Sequence, residues 1–250
     1  MSKEKCLGAS IELNEYVSTR FIPHLTSQNG LAPRIYAFAC LARCNRLLSG
    51  MIALHKSGFD DIAGMNQRPI VECWFLGTYL LLAPDEAYSV LALLHKEQLT
   101  KMSKAGWENL VDVIEEIGTF EIDGKVHNWR WIAGRIDELL VESGESELVT
   151  SVLVYNSLYR GESQLNLHAG IGTLQGHVDI RGDTTFTVEV RSGDAYEMAH
   201  TKPAASLLGL LALMIASRIA FNDPELRRLH RKVVDCGDPR ASSDTATLVS

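Results

Sequence analysis

The sequence predicts an all-α fold, a bundle of long helices, and two observations support this prediction. Apolar residues recur at helical spacing along most of the chain, whereas strict alternation of apolar and polar residues is confined to one short stretch. Pro and Gly separate the long apolar segments at positions typical of helix starts and stops. With 250 residues, 46% of them apolar and 22% charged, we expect one folded domain over residues 1–250.

Each predicted helix is bounded by a local signal. Ser10 is suited to cap the first helix, and Gly58 is placed to take the left-handed conformation that ends a helix. Pro69 lies inside an apolar run and removes one backbone donor, so we expect a kink or break near Gln67. Pro84, which is followed by two acidic residues, indicates the start of another helix. The predicted helices cover residues 10–25, 33–57, 60–82, 84–102, 107–117, 129–141, 145–167, 195–221 and a stretch from 224.

One stretch departs from the helical pattern. Residues 177–180 and 185–190 alternate between apolar and polar side chains, and turn-forming residues flank them. They predict a small β-hairpin excursion near 177–191. The last residues, 238–250, are rich in Ser, Thr, Asp and Ala and are predicted to form a flexible tail.

Charge and hydropathy narrow the class of protein. The net charge of −7 argues against a general nucleic-acid coat protein, although it is compatible with a local basic pocket. No apolar stretch follows the N-terminal charges, and the apolar run 204–216 is shorter than a bilayer span. We therefore expect a cytoplasmic protein that does not enter a membrane. The five cysteines form no C-x-x-C pair and are expected to be reduced, buried thiols.

Motifs for phosphate-loop hydrolases, dinucleotide-binding enzymes, zinc proteases and serine hydrolases are absent from the sequence. Polar residues within apolar helices therefore become the candidates, because buried charge is costly unless it is paired. Arg68 and Glu72 lie four residues apart on one helical face, directly before an apolar run. Two interpretations stay open: a structural ion pair at the Pro69 kink, or Arg68 as a contact for an anion or phosphate.

A second polar group lies in the tyrosine-rich segment that follows residue 154. Histidine is the side chain type whose ordinary pKa lies closest to neutral, so His168 is a candidate for exchanging a proton, and Arg160 is a candidate for holding a phosphate. On an ideal helix these two side chains lie about 80° and roughly 12 Å apart, so they can line one groove without touching. A helix end whose polar residues secure the following loop is the alternative. The supporting polar residues here are Tyr159, Ser163 and Asn166.

The combination of these features resembles an uncharacterised bacterial helical family that is similar to the HEPN superfamily. The resemblance covers about residues 31–222 and is carried by short motifs. The HEPN signature is Arg, four to six residues, then His, whereas seven residues separate Arg160 from His168, so the strict motif is missing. The features that carry the resemblance are Arg68 and Glu72 in an apolar helix, a tyrosine-rich helix ending in Ser163, Asn166 and His168, an excursion, and a final apolar helix.

The resemblance implies a helical, often dimeric protein that cuts or binds RNA without a metal or cofactor, as in toxin or antiphage-defence systems. His168 would move the proton of a ribose 2′-hydroxyl, and Arg160, with Arg68, would stabilise charge on the phosphate. Many HEPN relatives are non-catalytic, so a sensor or dimerisation module that binds a small ligand or a protein partner is the alternative. A metal enzyme using Glu72 and His168 is a third hypothesis, although no ligand pair at helical spacing supports it.

Overall fold

The computed structural model describes residues 3–26, 35–104, 128–145, 150–160, 178–181, 185–188 and 200–236. In these ranges helices pack around a hydrophobic core, and the predicted all-α class is confirmed. Two π-helical turns, Val17–Phe21 and Tyr155–Tyr159, extend α1 and α8. The helices are α1 (Lys3–Tyr16), α2 (Ile22–Thr26), α3 (Ile35–Lys56), α4 (Asp60–Gly64), α5 (Gln67–Leu82), α6 (Pro84–Lys104), α7 (Trp129–Glu142), α8 (Ser151–Val154), α9 (Thr201–Arg218) and α10 (Pro224–Val234).

Several predicted helix boundaries are confirmed. Each of them is set by a local signal, which is why the sequence could predict it. Gly58 follows the end of α3 with a φ of 76°, in the left-handed region. The break near Gln67 separates α4 from α5, and Pro84 starts α6. The carboxylate of Asp223 accepts a hydrogen bond from the Leu226 backbone N–H at 2.9 Å and so caps α10. The predicted helix over 107–117 lies outside the described residues.

Two predicted helix starts are wrong. The first helix begins at Lys3, so Ser10 lies inside it, where its hydroxyl donates to the carbonyl of Cys6 at 3.0 Å. The helix predicted from residue 145 begins at Ser151. The carboxylate of Asp137 in α7 accepts hydrogen bonds from the backbone N–H groups of Ser151 and Val152, at 2.8 and 3.0 Å. This cap comes from another helix, so local reading of the sequence could not locate it.

α5 is the central helix and packs against α3, α6, α7 and α9. Its side chains are buried along nearly its whole length, including Phe75 and Tyr79, which have no exposed surface. Gly77 permits the close approach of α9, because a Cβ at this position would lie 2.9 Å from the Leu211 side chain. Burial on several sides explains why α5 is apolar around much of its circumference.

Two short strands, β1 (Val178–Arg181) and β2 (Thr185–Val188), pair antiparallel with Val178 opposite Val188. The residues that connect and flank them lie outside the described ranges. The predicted hairpin excursion near 177–191 therefore stays a prediction, and so does the flexible tail over 238–250.

Among the described residues, α3 alone is long and apolar enough to cross a membrane when judged by length and composition. One side of α3 packs against α5 and buries residues such as Leu41, Leu48 and Met51. A core helix and a membrane span share these properties, so the expected cytoplasmic location stays a prediction.

Candidate functional site

Arg68 is placed by the start of α5. Pro69 stands in the first turn of this helix, where the backbone N–H groups have no intrahelical acceptor, so its missing donor is tolerated there. Glu72 follows one turn later on the same face. The first predicted polar pair therefore lies on a partly exposed face near the start of an otherwise buried helix, with side chains that are 35% and 29% exposed.

The guanidinium of Arg68 joins two segments of the chain. Its Nε donates to Oε1 of Glu72 at 3.2 Å. Its Nη2 donates to the hydroxyl of Tyr159, 91 residues away, at 2.6 Å. The guanidinium carbon also lies 4.6 Å from the centre of the Tyr159 ring, within the range of a cation–π contact. We call Arg68, Glu72 and Tyr159 the Arg68 cluster.

Tyr159 is held by aromatic neighbours. It is 7% exposed, and its ring stacks on Tyr155 with centroids 5.3 Å apart. The π-helical turn Tyr155–Tyr159 brings these two residues onto the same side of the chain. The ring centroid of Trp129, at the start of α7, lies 6.2 Å from that of Tyr159 and 6.3 Å from that of Phe75 in α5. These contacts fix the tyrosine-rich segment against α5 and α7.

The Arg68 cluster contains one positive and one negative charge around a neutral phenol. Burial raises the pKa of Tyr159 to about 12, and the Glu72 carboxylate raises it further against the opposing effect of Arg68. Burial opposes the charged form of Arg68, but Tyr159 and Glu72 outweigh this effect and raise its pKa. Tyr159 is therefore a neutral hydroxyl at physiological pH and binds Arg68 through its oxygen.

The structure brings together three of the seven residues predicted for the site: Arg68, Glu72 and Tyr159. Arg160 follows Tyr159 directly, is exposed, and has no carboxylate partner within the described ranges. The other three, Ser163, Asn166 and His168, lie outside the described residues, and their distances to Arg68 stay untested. Sequence reasoning missed Trp129, whose only signal was its position at a helix start.

A cleft adjoins this site, and a separate cavity lies elsewhere among the helices. Glu72 and Trp129 also line a cleft of about 380 Å³ between α3, α5, α6 and the start of α7. A second cavity of about 510 Å³ lies between α5, α7 and α9, and its walls include Trp74, Leu140 and Leu213. The described part of the chain contains no group of three His, Cys, Asp or Glu side chains that could hold a metal ion.

A comparison with known protein families shows to which family the chain belongs. Residues 34–185 match DUF5677, a family of unknown function. The chain belongs to this family. In this DUF5677 protein the matched region starts just before α3 and includes the whole Arg68 cluster together with Arg160 and the segment that leads to His168. No curated protein and no solved structure matches the chain.

Proposed function

We propose that this DUF5677 protein binds RNA and cuts it without a metal at a site built on Arg68, Arg160 and His168. The contact between Arg68 and Tyr159 is the observation that carries the proposal, because it joins two polar segments 91 residues apart. Arg160, one residue after Tyr159, is thereby held near α5. Two guanidinium groups in one region suit a phosphate, which guanidinium groups can bind through paired hydrogen bonds.

The length of chain between Tyr159 and His168 sets how far apart these two residues can lie. Eight residues lead from Arg160 to His168, which is roughly 12 Å along an ideal helix and at most about 29 Å in an extended chain. His168 is therefore within chain reach of the Arg68 cluster, and the proposal places it there. Ser163 and Asn166 lie between them in the chain and can supply hydrogen bonds to ribose or phosphate.

The proposed reaction uses the ribose 2′-hydroxyl as the nucleophile. His168 accepts the hydroxyl proton, the 2′ oxygen attacks the adjacent phosphorus, and a 2′,3′-cyclic phosphate forms. The bond from phosphorus to the 5′ oxygen breaks, and that oxygen takes a proton from the surrounding water or a protonated side chain. Arg160 and Arg68 stabilise the negative charge that builds up on the phosphate oxygens.

The wider proposal is a HEPN-like helical bundle with a hairpin excursion near 177–191, forming one domain over 1–250. It would act in the cytoplasm as a homodimer in a toxin or antiphage-defence system, with RNA or a protein as its partner. The net charge of −7 argues against a broad basic surface and favours the non-enzymatic alternative, so the proposal requires one local basic site.

The test is incubation of purified protein with mixed RNA, with and without a chelator. His168→Ala and Arg160→Ala should each abolish chelator-resistant cleavage, whereas Arg20→Ala, on the exposed side of the N-terminal helix, should keep it. The products should end in a cyclic phosphate. If wild-type protein neither cuts nor binds any RNA at low salt, the proposal is wrong.

One observation favours the second candidate function, a non-enzymatic sensor for a small ligand. The cavity of about 510 Å³ is lined mainly by apolar side chains, and its two charged residues, Arg218 and Glu145, neutralise each other at 2.9 Å. A neutral apolar ligand suits such walls. Titration with the naphthalene ketone prodan should shift the dye's emission to the blue, and Leu213→Trp, which fills the cavity, should abolish that shift. An equal shift in both proteins would contradict this candidate.

A further inference from the structure

The cleft of about 380 Å³ next to the Arg68 cluster has walls from four helices. Tyr36 and Arg43 come from α3, Glu72 from α5, His95 from α6 and Trp129 from α7. Glu72 belongs to the Arg68 cluster and Trp129 contacts its Tyr159, so the cleft and the cluster form one continuous region.

Arg43 is the unpaired cation of the cleft. Its side chain is exposed, and no carboxylate of the described residues pairs with it. Its guanidinium lies near the Cys73 thiol, whose pKa is lowered first by Cys44 and then by Arg43, against the effect of burial. Glu72, the carboxylate of the cleft, is held by Arg68. The cleft therefore offers a positive charge that an anion can bind without displacing an ion pair.

Tyr36 provides an exposed aromatic surface at the same cleft. It is 51% exposed, and its ring contacts Tyr88 with centroids 5.8 Å apart. Trp129, by contrast, is already packed between Tyr159 and Phe75. An aromatic ring and a guanidinium in the same cleft are the groups with which proteins bind unpaired bases and their phosphates. His95, which has no hydrogen-bond partner within the described ranges, can bond a base edge or a ribose hydroxyl.

We propose that this cleft binds one nucleotide of a single-stranded RNA, with the base stacked on Tyr36 and a phosphate on Arg43. This inference rests on the proposed function and extends it, because it names the form of the substrate. A volume of about 380 Å³ is within the range of pockets that bind small organic molecules. Base-paired RNA does not fit, since its bases are stacked on one another and cannot stack on Tyr36.

The test is fluorescence anisotropy with a labelled single-stranded oligoadenylate and with the same strand in a duplex. Tyr36→Leu and Arg43→Gln should each weaken single-strand binding on the order of tenfold, and Tyr36→Phe should bind like wild type. Arg43→Gln should also reduce the slope of log K against log salt by about one. The control is Arg46→Gln, which changes an exposed Arg on α3 outside the cleft and should not weaken binding tenfold.

Cleavage kinetics separate this inference from the proposed function. Tyr36→Leu and Arg43→Gln should raise KM with little change in kcat, whereas His168→Ala should abolish kcat and leave binding in place. If wild type cuts RNA and both cleft variants bind and cut like wild type, the cleft inference fails and the proposed function stands. If wild type neither binds nor cuts RNA, both fail. Unfolding curves for each variant identify any that do not fold, and Tyr36→Phe tests the ring without removing it.

Discussion

In the part of the chain that the structure describes, two clusters of Arg, Glu and Tyr differ in charge. In the Arg68 cluster one guanidinium bonds one carboxylate and one phenol. In the second cluster Arg135 bonds three carboxylates, those of Glu86, Glu138 and Glu142, at 3.0, 3.1 and 3.3 Å. The buried Tyr79 donates to Glu86 at 2.7 Å. We call these residues the Arg135 cluster.

Because the two clusters differ in net charge, we interpret the Arg135 cluster as a structural contact between helices and the Arg68 cluster as a candidate binding site. Arg135 is surrounded by an excess of negative charge, so an added anion is repelled there. Its pKa is raised, first by the hydrogen bond with Glu86, and it links α6 to α7. The Arg68 cluster is neutral overall, with Arg160 next to it in the chain. The same residue types therefore hold helices together at one site and, in the proposed function, bind a phosphate at the other.

The largest expected effect is on activity. Arg68→Gln should lower kcat/KM for RNA cleavage by about 100-fold or more, because it removes a charged donor to the phosphate. Arg135→Gln should leave the activity of the folded protein unchanged. Equal losses in the two variants, measured at a temperature where both are folded, would show that the two clusters do not differ as proposed.

The free energy of unfolding should change in the opposite order, with a larger loss for Arg135→Gln than for Arg68→Gln. Arg135→Gln leaves Glu86, Glu138 and Glu142 without their shared cation and should lower the free energy of unfolding by about 1–2 kcal/mol. Arg68→Gln breaks one partly exposed pair and one phenol hydrogen bond and should cost about 1 kcal/mol or less. Urea unfolding midpoints of the two variants test this order. A larger loss for Arg68→Gln would identify the Arg68 cluster as the main brace.

Alkaline pH should affect Tyr159 in a defined window. The pKa of Tyr159 is raised from its ordinary value of 10.0 to about 12, so the folded state disfavours the tyrosinate. The stability that neutral Tyr159 contributes is full below about pH 10 and is lost as the pH rises towards 12. Tyr159→Phe should therefore show a shallower loss of thermal stability over this window than wild type. Identical slopes would mean that Tyr159 does not contribute to the loss.

The smallest effect concerns the residue next to Arg135. Gly134 lies inside α7, and a Cβ added to it would meet nothing within 4 Å. Gly134→Ala should stabilise the protein by about 0.5–1 kcal/mol, because Ala loses less backbone entropy in a helix. Activity should not change. A loss of stability in thermal unfolding would show that α7 is more tightly packed around Arg135 than the structure indicates.

The sequence alone predicted most helix boundaries and, within the candidate site, the pair of Arg68 and Glu72. The stop at Gly58, the break before Gln67 and the start at Pro84 depend on backbone conformation within a few residues, so they can be predicted locally. The pair of Arg68 and Glu72 follows from helical spacing for the same reason. Ser10 shows the limit, because a residue suited to a cap also bonds within a helix when the helix starts earlier.

Only the tertiary structure decided which distant residues meet. Arg68 meets Tyr159 because α5 and α7 hold the tyrosine-rich segment, and Asp137 starts that segment by capping Ser151 from another helix. Helical spacing specifies which residues share a face, but it does not specify which helix covers that face. The packing of all the helices sets that choice, because each contact across the core depends on the shapes of many side chains at once.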